Sequence, residues 1–448
     1  MVIGITVTYG SRPGARPRST RARRDGHRRP VHPGGLDHPR VVLPNLREAA
    51  AAVDEHLTAE RGFGIGDIIH LALRHTDHIV TSLALAWPTW WARSSAPYQP
   101  SPGEKPLRPP RPPWRVCRMM QLTEISGLAG YVNEDWQSPV ADAVAARWGI
   151  APGVARWWRS SASHVFVVPG VPEPEAERYL RFVPERYAAY GRFETVAALM
   201  DRLHAGGLAL APPVRSSAGR LTETVVTPLG TVRAMCLAEA PGEEVEPAEL
   251  TEAQARAWGA LLARTHESAR DLSDGLGRPL DGIAEAARLY ADDAGLTAAV
   301  GKIAARLAGL PRDPASYGVV HGDFELDNLA WEGNTPTAFD FDEAALSWYA
   351  ADIAHAVRDL TDEGRPDPAR AGLLGAFLAG YREVRTLPGV DADTLLLFAG
   401  ANAARSLVEL HPVLARLDEG RPDDLDTLRA DLVEHRDEQR RIVLAAAG

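Results

Sequence analysis

Three polar side chains in the second half of the chain have the types and spacing that metal-assisted group transfer needs. Asp323 and Asn328 lie in a polar segment after the apolar run Tyr317–Val320, and Asp340 lies 12 residues beyond Asn328. One carboxylate can accept a proton from a hydroxyl group, while a second carboxylate and a neutral amide hold magnesium against phosphates. These groups suffice for phosphoryl transfer, because positioning and charge neutralisation supply most of its catalysis.

The apolar runs around these residues predict the elements that position them. Residues 317–320 and 337–341 are typical of two short strands, each followed by a polar turn with carboxylates. The gap between Asn328 and Asp340 has room for a strand, a turn at 332–334 and a return strand. In protein kinases the catalytic Asp and Asn are also separated by four residues, and the magnesium-binding Asp follows on a later strand.

This segment resembles the aminoglycoside phosphotransferase and choline kinase family, the phosphotransferase enzyme family, whose catalytic loop begins His-Gly-Asp. Residues 321–323 (His-Gly-Asp), Asn328 and residues 340–342 (Asp-Phe-Asp) match its motifs, and the absence of Asp-Phe-Gly argues against an ordinary protein kinase. The resemblance implies an α+β, bilobal, protein-kinase-like fold over residues 119–448. It also implies that Asp323 is catalytic, that Asn328 and Asp340 bind Mg²⁺, and that ATP or GTP is the co-substrate.

The same resemblance implies nucleotide-binding positions in a small antiparallel-sheet lobe, residues 119–240, ahead of a larger, mainly helical lobe, 241–448. A strand–turn–strand pattern over 157–168 stands where the family covers the nucleotide phosphates, and its turn offers Ser161 and Ser163. A strand running into Pro-Gly at 241–242 suits the hinge between kinase lobes. There the Ala238 carbonyl and the Ala240 amide are expected to bind the adenine edge.

The basic group that contacts the phosphates in kinases departs from the family pattern. Kinases carry a lysine on the strand that corresponds to residues 178–183, but the lysines of this chain are Lys105 and Lys302, in other segments. Arg181 is the candidate on that strand, and Glu194 on the following helix is its expected ion-pair partner. Arginine is larger and bidentate, so it is not equivalent to lysine. A solvent-facing strand arginine is the alternative.

Two further residues of the large lobe are expected to be structural. Asp352 resembles the family's buried aspartate beneath the catalytic loop, and His266 is expected to be a packed, hydrogen-bonded core histidine. Five acidic residues near the ends of late helices could contact a cationic acceptor, although such residues are usually only solvated: Asp359, Asp362, Glu363, Asp391 and Asp393.

Composition limits the remaining function classes. With 448 residues the chain exceeds a single typical domain, and its net charge of −10 makes nucleic acid an unlikely partner of the main body. The cysteines, Cys117 and Cys236, form no disulfide framework, which favours a reducing cytoplasm. No apolar run reaches the length of a membrane span, so no membrane partner is expected.

The first 118 residues divide into three predicted segments. Residues 1–33 are rich in Arg and Pro without apolar periodicity and are expected to be disordered. Residues 34–92 carry helical periodicity of unknown role, and residues 93–118 are a proline-rich linker. A metal site at His75 and His78 is a weaker alternative to an ordinary solvated helix face.

The sequence therefore predicts a kinase that transfers the γ-phosphate of a nucleotide to a hydroxyl of an aminoglycoside-like or other small metabolite. The alternative is a pseudokinase that binds nucleotide or ligand as a regulatory module. The missing lysine and the glycine-poor hairpin favour that alternative, whereas the intact Asp323, Asn328 and Asp340 oppose it. The acceptor and the oligomeric state are left open.

Overall fold

The segment that carries Asp323, Asn328 and Asp340 lies in the part of the chain that the structure, a computed structural model, describes. That part comprises residues 120, 122–160, 162–170, 177–187, 191–386, 390–418 and 426–448. The predicted arm (1–33), helical segment (34–92) and linker (93–118) lie outside the described residues, and so does Ser161.

An antiparallel sheet of six strands forms the first half of the described chain. Its strands are β1 (Arg156–Ser160), β2 (His164–Val168), β3 (Arg178–Pro184), β4 (Pro213–Val214), β5 (Thr222–Thr227) and β6 (Gly230–Ala238). The order is β1-β2-β3-β6-β4, and β5 also pairs with β6. Arg181 lies on β3, where it is in register with Met235 of β6 on one side and with Val165 of β2 on the other. Arg181 therefore lies on an interior strand, with its neighbours fixed on both sides.

Helices cover both faces of this sheet. Helices α1 (Leu122–Ala129) and α2 (Pro139–Ala145) pack on one face, where Val140 and Val144 join Phe166 and Phe182 in an apolar cluster. Ser138 caps α2, because its hydroxyl accepts from the Val140 amide. Helix α3 (Arg192–Ala205) covers the other face with an apolar stripe at helical spacing.

The second half is mainly helical, with three short strand pairs. Its helices are α4 (Glu252–Ser268), α5 (Glu285–Leu289), α6 (Ala294–Ala308), α7 (Tyr349–Ala356), α8 (Ala371–Val384), α9 (Ala392–Asp418) and α10 (Asp426–Ala447). Its strands are β7 (Tyr317–Val320), β8 (Leu329–Glu332), β9 (Thr335–Ala338), β10 (Ala345–Trp348), β11 (Thr361–Asp362) and β12 (Arg365–Pro366). The pairs are β7 with β10, β8 with β9, and β11 with β12. Within the described ranges, no helix is both long and apolar enough to cross a bilayer.

Helix α4 links the apolar core to the catalytic loop. A capping box of Thr251 and Gln254 starts the helix. Trp258 is fully buried, packs edge-on against Phe377 of α8 at 4.8 Å between ring centroids, and donates its indole N–H to the Phe324 carbonyl at 3.0 Å. The helix therefore fixes the backbone immediately after Asp323.

Glycines allow α4 and α8 to pack closely. A Cβ at Gly259 of α4 would overlap the Phe377 carbonyl, and one at Gly380 of α8 would overlap the Arg256 carbonyl. Because both obstacles are backbone atoms, no side-chain rotation relieves them. The two helices must therefore keep glycine where they cross.

Replacing Gly380 by Ala should lower the free energy of unfolding by about 1–3 kcal/mol, because overpacking forces the helices apart. Gly375→Ala is the matched control on the same helix, since its Cβ would meet no atom within 4 Å. That variant should be neutral or more stable by about 0.5–1 kcal/mol, the usual helix preference for alanine. Chemical denaturation of both variants makes the comparison; equal effects would contradict the close crossing.

Candidate active site

The predicted pair Asp323 and Asn328 meets in one buried loop. A short 3₁₀ turn over Leu326–Asn328 folds the chain back after β7. The side-chain amide of Asn328 then donates to the Asp323 carbonyl at 2.8 Å and to Asp323 Oδ2 at 3.2 Å. Since the amide nitrogen faces Asp323, the amide oxygen of Asn328 is the atom left for a cation. Asp323 itself is only 6% exposed.

Asp352 lies beneath this loop, as the resemblance implies, and its carboxylate accepts hydrogen bonds from the backbone amides of the loop. The His321 amide donates to Oδ2 at 2.9 Å and the Gly322 amide to Oδ1 at 2.8 Å. His266 Nε2 lies 2.9 Å from Oδ2, and its other ring nitrogen meets the Tyr381 hydroxyl at 2.7 Å. Burial raises the pKa of Asp352, but these hydrogen bonds and the neighbouring histidines outweigh it, so the pKa is lowered. His266 is thus the hydrogen-bonded core histidine that the sequence predicts.

The backbone of the loop requires Gly322. This residue has φ of +85°, and a Cβ there would collide with the backbone of Glu343. The ring of the preceding His321 packs on Phe341 at 4.4 Å between centroids, and its Nε2 lies 3.1 Å from the Phe339 carbonyl. These contacts join the loop of Asp323 to the segment that carries Asp340.

Asp340 follows the hairpin of β8 and β9 in a left-handed turn. The return strand ends at Ala338 rather than continuing to residue 341, and Asp340 has φ of 58° and ψ of 65°. The predicted strand over 337–341 is therefore wrong in its boundaries, because the chain leaves the ladder to turn Asp340 inward. A left-handed aspartate is uncommon and costs conformational energy, which is typical of functional turns.

Two arginines of the sheet contact the carboxylate of Asp340. Arg181 Nη1 lies 3.4 Å from Oδ1, and Arg159 Nη2 of β1 lies 3.4 Å from Oδ2. Arg181 also pairs with Asp342, and its Nε donates to Ser163 Oγ at 3.2 Å. Burial raises the pKa of Asp340, but the positive charges of Arg181 and Arg159 lower it by more, so the net shift of the pKa is downward. Arg181 thus faces the site, with 7% of its side chain exposed.

The expected ion pair between Arg181 and Glu194 is not formed. Glu194 lies on the first turn of α3, is 58% exposed, and pairs with Arg233 of β6 at 2.7 Å. The carboxylates that reach Arg181 come from the large lobe instead, from Asp340 and Asp342. Helix α3 contributes differently, since Arg192 donates to the backbone carbonyl of Asp342 at 2.7 Å. The predicted partner of Arg181 is therefore wrong, since Arg181 pairs with Asp340 and Asp342, at the predicted metal site.

Of the other positions predicted to bind nucleotide, Ser163 lies at this cluster, and Ala238 and Ala240 lie near the chain segment that joins the sheet to the helices. Ser163 is buried in the turn between β1 and β2, with its hydroxyl on Arg181. Ala238 ends β6 and its amide donates to the Pro212 carbonyl at 2.9 Å, while Ala240 lies two residues later. At Gly242, φ is +108° and a Cβ would collide with the backbone of Trp331. Roles of Ser163, Ala238 and Ala240 in nucleotide binding stay predictions.

Sequence reasoning missed three side chains of the site: Arg159, His355 and Arg358. His355 Nε2 lies 2.8 Å from Asp323 Oδ1, and Arg358 Nη1 lies 4.0 Å from the same oxygen. Burial raises the pKa of Asp323, but the His355 hydrogen bond and the charge of Arg358 reverse the shift, so it is lowered. The available signal was the three-residue spacing of Asp352 and His355, which places both on one face of α7, whereas Arg358 follows that helix in a 3₁₀ turn.

Three of the five acidic residues considered for a cationic acceptor have local partners. Asp359 lies 3.8 Å from Arg358, Glu363 pairs with Arg441 of α10 at 2.9 Å, and Asp391 accepts from the Thr394 amide at 2.8 Å at the start of α9. A substrate role for any of them stays a prediction.

Comparison with known protein families gives a match over half of the chain. The model of the phosphotransferase enzyme family matches residues 160–387. The chain belongs to this family. The match includes the hairpin strand β2, the strand of Arg181, the catalytic loop and helix α7, so every residue of the site except Arg159 lies inside it.

Curated relatives are small-molecule kinases. The chain is 30% identical over 224 residues to a homoserine kinase of Methylobacterium radiotolerans, covering 47% of this chain and 66% of the relative. It is 40% identical over 48 residues to the amicoumacin kinase of Bacillus subtilis, or 11% of this chain and 14% of that kinase. The chain thus spans just under two thirds of the homoserine kinase.

Solved structures establish the fold. Amicoumacin kinase hAmiN in complex with AMP-PNP, Ca²⁺ and Ami has a TM-score of 0.54 at 20% identity, covering 66% of this chain and 91% of that one. The microcompartment-associated aminopropanol kinase has a TM-score of 0.51 at 20% identity, covering 67% and 94%. The predicted bilobal, kinase-like α+β fold is confirmed.

Replacing Asp352 by Ala should lower the free energy of unfolding at neutral pH by about 3–5 kcal/mol, since buried donors lose their acceptor. Asp352→Asn keeps one acceptor oxygen and should lose less. Because the folded-state pKa of Asp352 is lowered, its ionic contribution is present above the unfolded value of about 3.9 and is lost as the pH falls through the folded value. Denaturation curves at neutral and acid pH should therefore show the wild-type advantage shrinking on acidification; a constant gap would contradict the assignment.

Proposed function

We propose that this protein is a small-molecule kinase that transfers the γ-phosphate of ATP or GTP to a hydroxyl group. The observation that carries the proposal is the link between the loop of Asp323 and Asn328 and the turn of Asp340: the Phe339 amide donates to the Asn328 carbonyl at 3.0 Å, and Asp340 contacts the arginines of the sheet. A ligand-binding module has no need of a buried base beside a metal-binding pair. Arg181 provides a basic group on the strand where kinases carry a lysine. Its position at Asp340 weakens the main argument for a pseudokinase.

Asp323 has the position and charge of the proton acceptor. Its lowered pKa keeps it ionised at neutral pH, so both oxygens can accept hydrogen bonds. One oxygen faces His355 and the other faces Asn328. A carboxylate oxygen has two lone pairs, so the side chain can orient the acceptor hydroxyl and take its proton while these contacts persist.

The residues present fit a magnesium ion. Mg²⁺ prefers oxygen ligands, and the amide orientation of Asn328 leaves its oxygen available, while Asp340 offers a carboxylate from the turn whose Phe339 amide donates to the Asn328 carbonyl at 3.0 Å. Asn328 and Asp340 would hold the ion, as the sequence predicts. When bound, the ion would neutralise the charge of the phosphate oxygens.

Arg181 and Arg159 are proposed to contact the nucleotide phosphates from the sheet. Both guanidinium groups lie at Asp340, and arginine binds phosphate through paired N–H donors. Ser163 in the hairpin turn, and the Ala238 carbonyl with the Ala240 amide at the hinge, complete the proposed nucleotide site, and Ser161, two residues before Ser163 in the sequence, belongs to the same proposal. Glu194 is not part of it, because its partner is Arg233.

The relatives suggest where to look for the acceptor. Their names specify homoserine, aminopropanol and amicoumacin. We therefore propose a hydroxyl acceptor that also carries an amino group, which includes aminoglycoside-like compounds. A cytoplasmic location is part of this proposal, because the scarcity of cysteine favours a reducing compartment.

Asp323→Asn should lower kcat by about 10²–10⁴-fold, the usual contribution of a general base, while the fold and nucleotide binding are retained. The assay is ADP release with Mg²⁺ and ATP or GTP, against a panel containing homoserine, 1-amino-2-propanol and aminoglycosides. Wild-type activity on any acceptor supports the proposal. Full activity in a folded Asp323→Asn protein would refute the role of Asp323, and wild-type protein inactive on a broad panel while binding nucleotide would favour the pseudokinase.

Asp340→Ala should remove the magnesium-dependent part of nucleotide binding. In wild-type protein, ligand at a hundredfold excess over Kd should add about 2.7 kcal/mol of stability, visible as a rise in Tm. Asp201→Asn is the control, because Asp201 is a surface carboxylate paired with Arg215 at 2.7 Å. A shift that persists in Asp340→Ala, or that ignores chelation of Mg²⁺, would contradict the metal assignment.

A further inference from the structure

Helix α7 contacts three consecutive residues of the catalytic loop through two of its side chains. Asp352 accepts the backbone amides of His321 and Gly322, and His355, one turn later, reaches the side chain of Asp323. Residues three apart lie on the same face of a helix. The family role described above for Asp352 concerns the loop backbone, whereas the contact of His355 concerns the carboxylate itself.

The contacts of His355 Nε2 decide which atom carries the proton. Nε2 lies 2.8 Å from Asp323 Oδ1 and 3.3 Å from Arg358 Nη1. Arginine only donates hydrogen bonds and an ionised carboxylate only accepts them. Nε2 can therefore either donate to Asp323 or accept from Arg358, but it cannot do both. The shorter distance, 2.8 Å against 3.3 Å, selects donation to Asp323.

Arg358 is already engaged on the other side of this cluster. It pairs with the carboxylate of Glu325, and its Nε lies 3.8 Å from Asp359. Asp323, Glu325 and His355 do bring ligand atoms within 4.8 Å of one another, which is close enough for a metal ion. Arg358 supplies the positive charge at Glu325, so the cluster is balanced by a side chain, and a hydrogen bond from His355 is the simpler assignment.

We propose that His355 is a positioning residue for Asp323: its Nε2–H holds Oδ1, and so directs the rest of the carboxylate toward the acceptor hydroxyl. This inference rests on the proposed function for the role of Asp323 as base. Asp323 is buried between His355 on one oxygen and Asn328 on the other. Both contacts limit rotation of the carboxylate, and small misplacements of a reacting group can cost about 10²-fold in rate.

The first test reads the proton directly and needs no acceptor. The full chain is labelled with ¹⁵N-histidine, and long-range ¹H–¹⁵N correlations at neutral pH give the tautomer of each imidazole. The His355 signals are assigned by their loss in His355→Gln. We expect a neutral ring protonated at Nε2, with a proton resonance that changes in Asp323→Asn. A ring protonated only at Nδ1 could not donate to Asp323 and would overturn the proposal.

The second test separates positioning from folding. His355→Leu removes the donor and fills a similar volume, whereas His355→Gln retains an N–H donor at a similar distance from the backbone. With Mg²⁺, ATP and an active acceptor from the panel, His355→Leu should lower kcat by about 10–100-fold with KM for ATP within threefold. His355→Gln should recover most of the loss.

The control variant is His411→Leu, which removes a histidine of α9 that packs on Tyr290, outside the site. It should leave kcat unchanged. If His355→Leu matches this control, or if His355→Gln is no better than His355→Leu, the positioning role is wrong. If wild-type protein phosphorylates no acceptor, the proposed function fails, but the tautomer measurement still decides whether His355 donates to Asp323.

Discussion

The buried carboxylate of Asp352 holds the catalytic loop on the helix beneath it. It accepts two successive loop amides, and His266 binds it from α4. An ionised carboxylate in an apolar interior is costly unless its oxygens are satisfied, so this arrangement demands all three donors at once. The loop amides need an acceptor, and the Asp352 carboxylate needs the loop in this conformation to receive their hydrogen bonds. Gly322 in this loop has φ of +85°, and a Cβ there would collide with the Glu343 backbone, so the conformation requires glycine.

Several helices and strands could be predicted from the sequence, because side chains close together in the chain determine them. The apolar run 317–320, the capping box at Thr251 and the strand of Arg181 are each specified by side chains within a few residues. The spacing of Asp323, Asn328 and Asp340 was informative for a similar reason, since one turn and one hairpin connect them. The predicted strand over 337–341 was wrong in its boundaries because the apolar pattern continues to residue 341, whereas the observed strand ends at Ala338 and Asp340 adopts a left-handed turn.

Contacts between distant segments were the part that sequence could not supply. Glu194 was paired with Arg181 by analogy, but the antiparallel register of β6 brings Arg233 to Glu194 instead. Arg159 reaches Asp340 across 181 residues of chain, and His355 reaches Asp323 across 32. No periodicity encodes such pairs. The register of strands and the packing of helices decide them, and these are properties of the whole domain.

The strand where kinases carry a lysine has Arg181 in this chain, and its guanidinium group balances carboxylates of the large lobe. A lysine offers one compact charge, whereas Arg181 spans Asp340, Asp342 and Ser163 with its several donors. Arg159 adds a second positive group, so the carboxylates expected to hold metal are already neutralised by the sheet. Under the proposed function, Asn328 and Asp340 would hold the metal, and Arg159 and Arg181 would contact phosphate oxygens in place of the carboxylate oxygens of Asp340. Each charge then keeps a partner throughout, which limits the desolvation cost of bringing a polyanion to buried carboxylates.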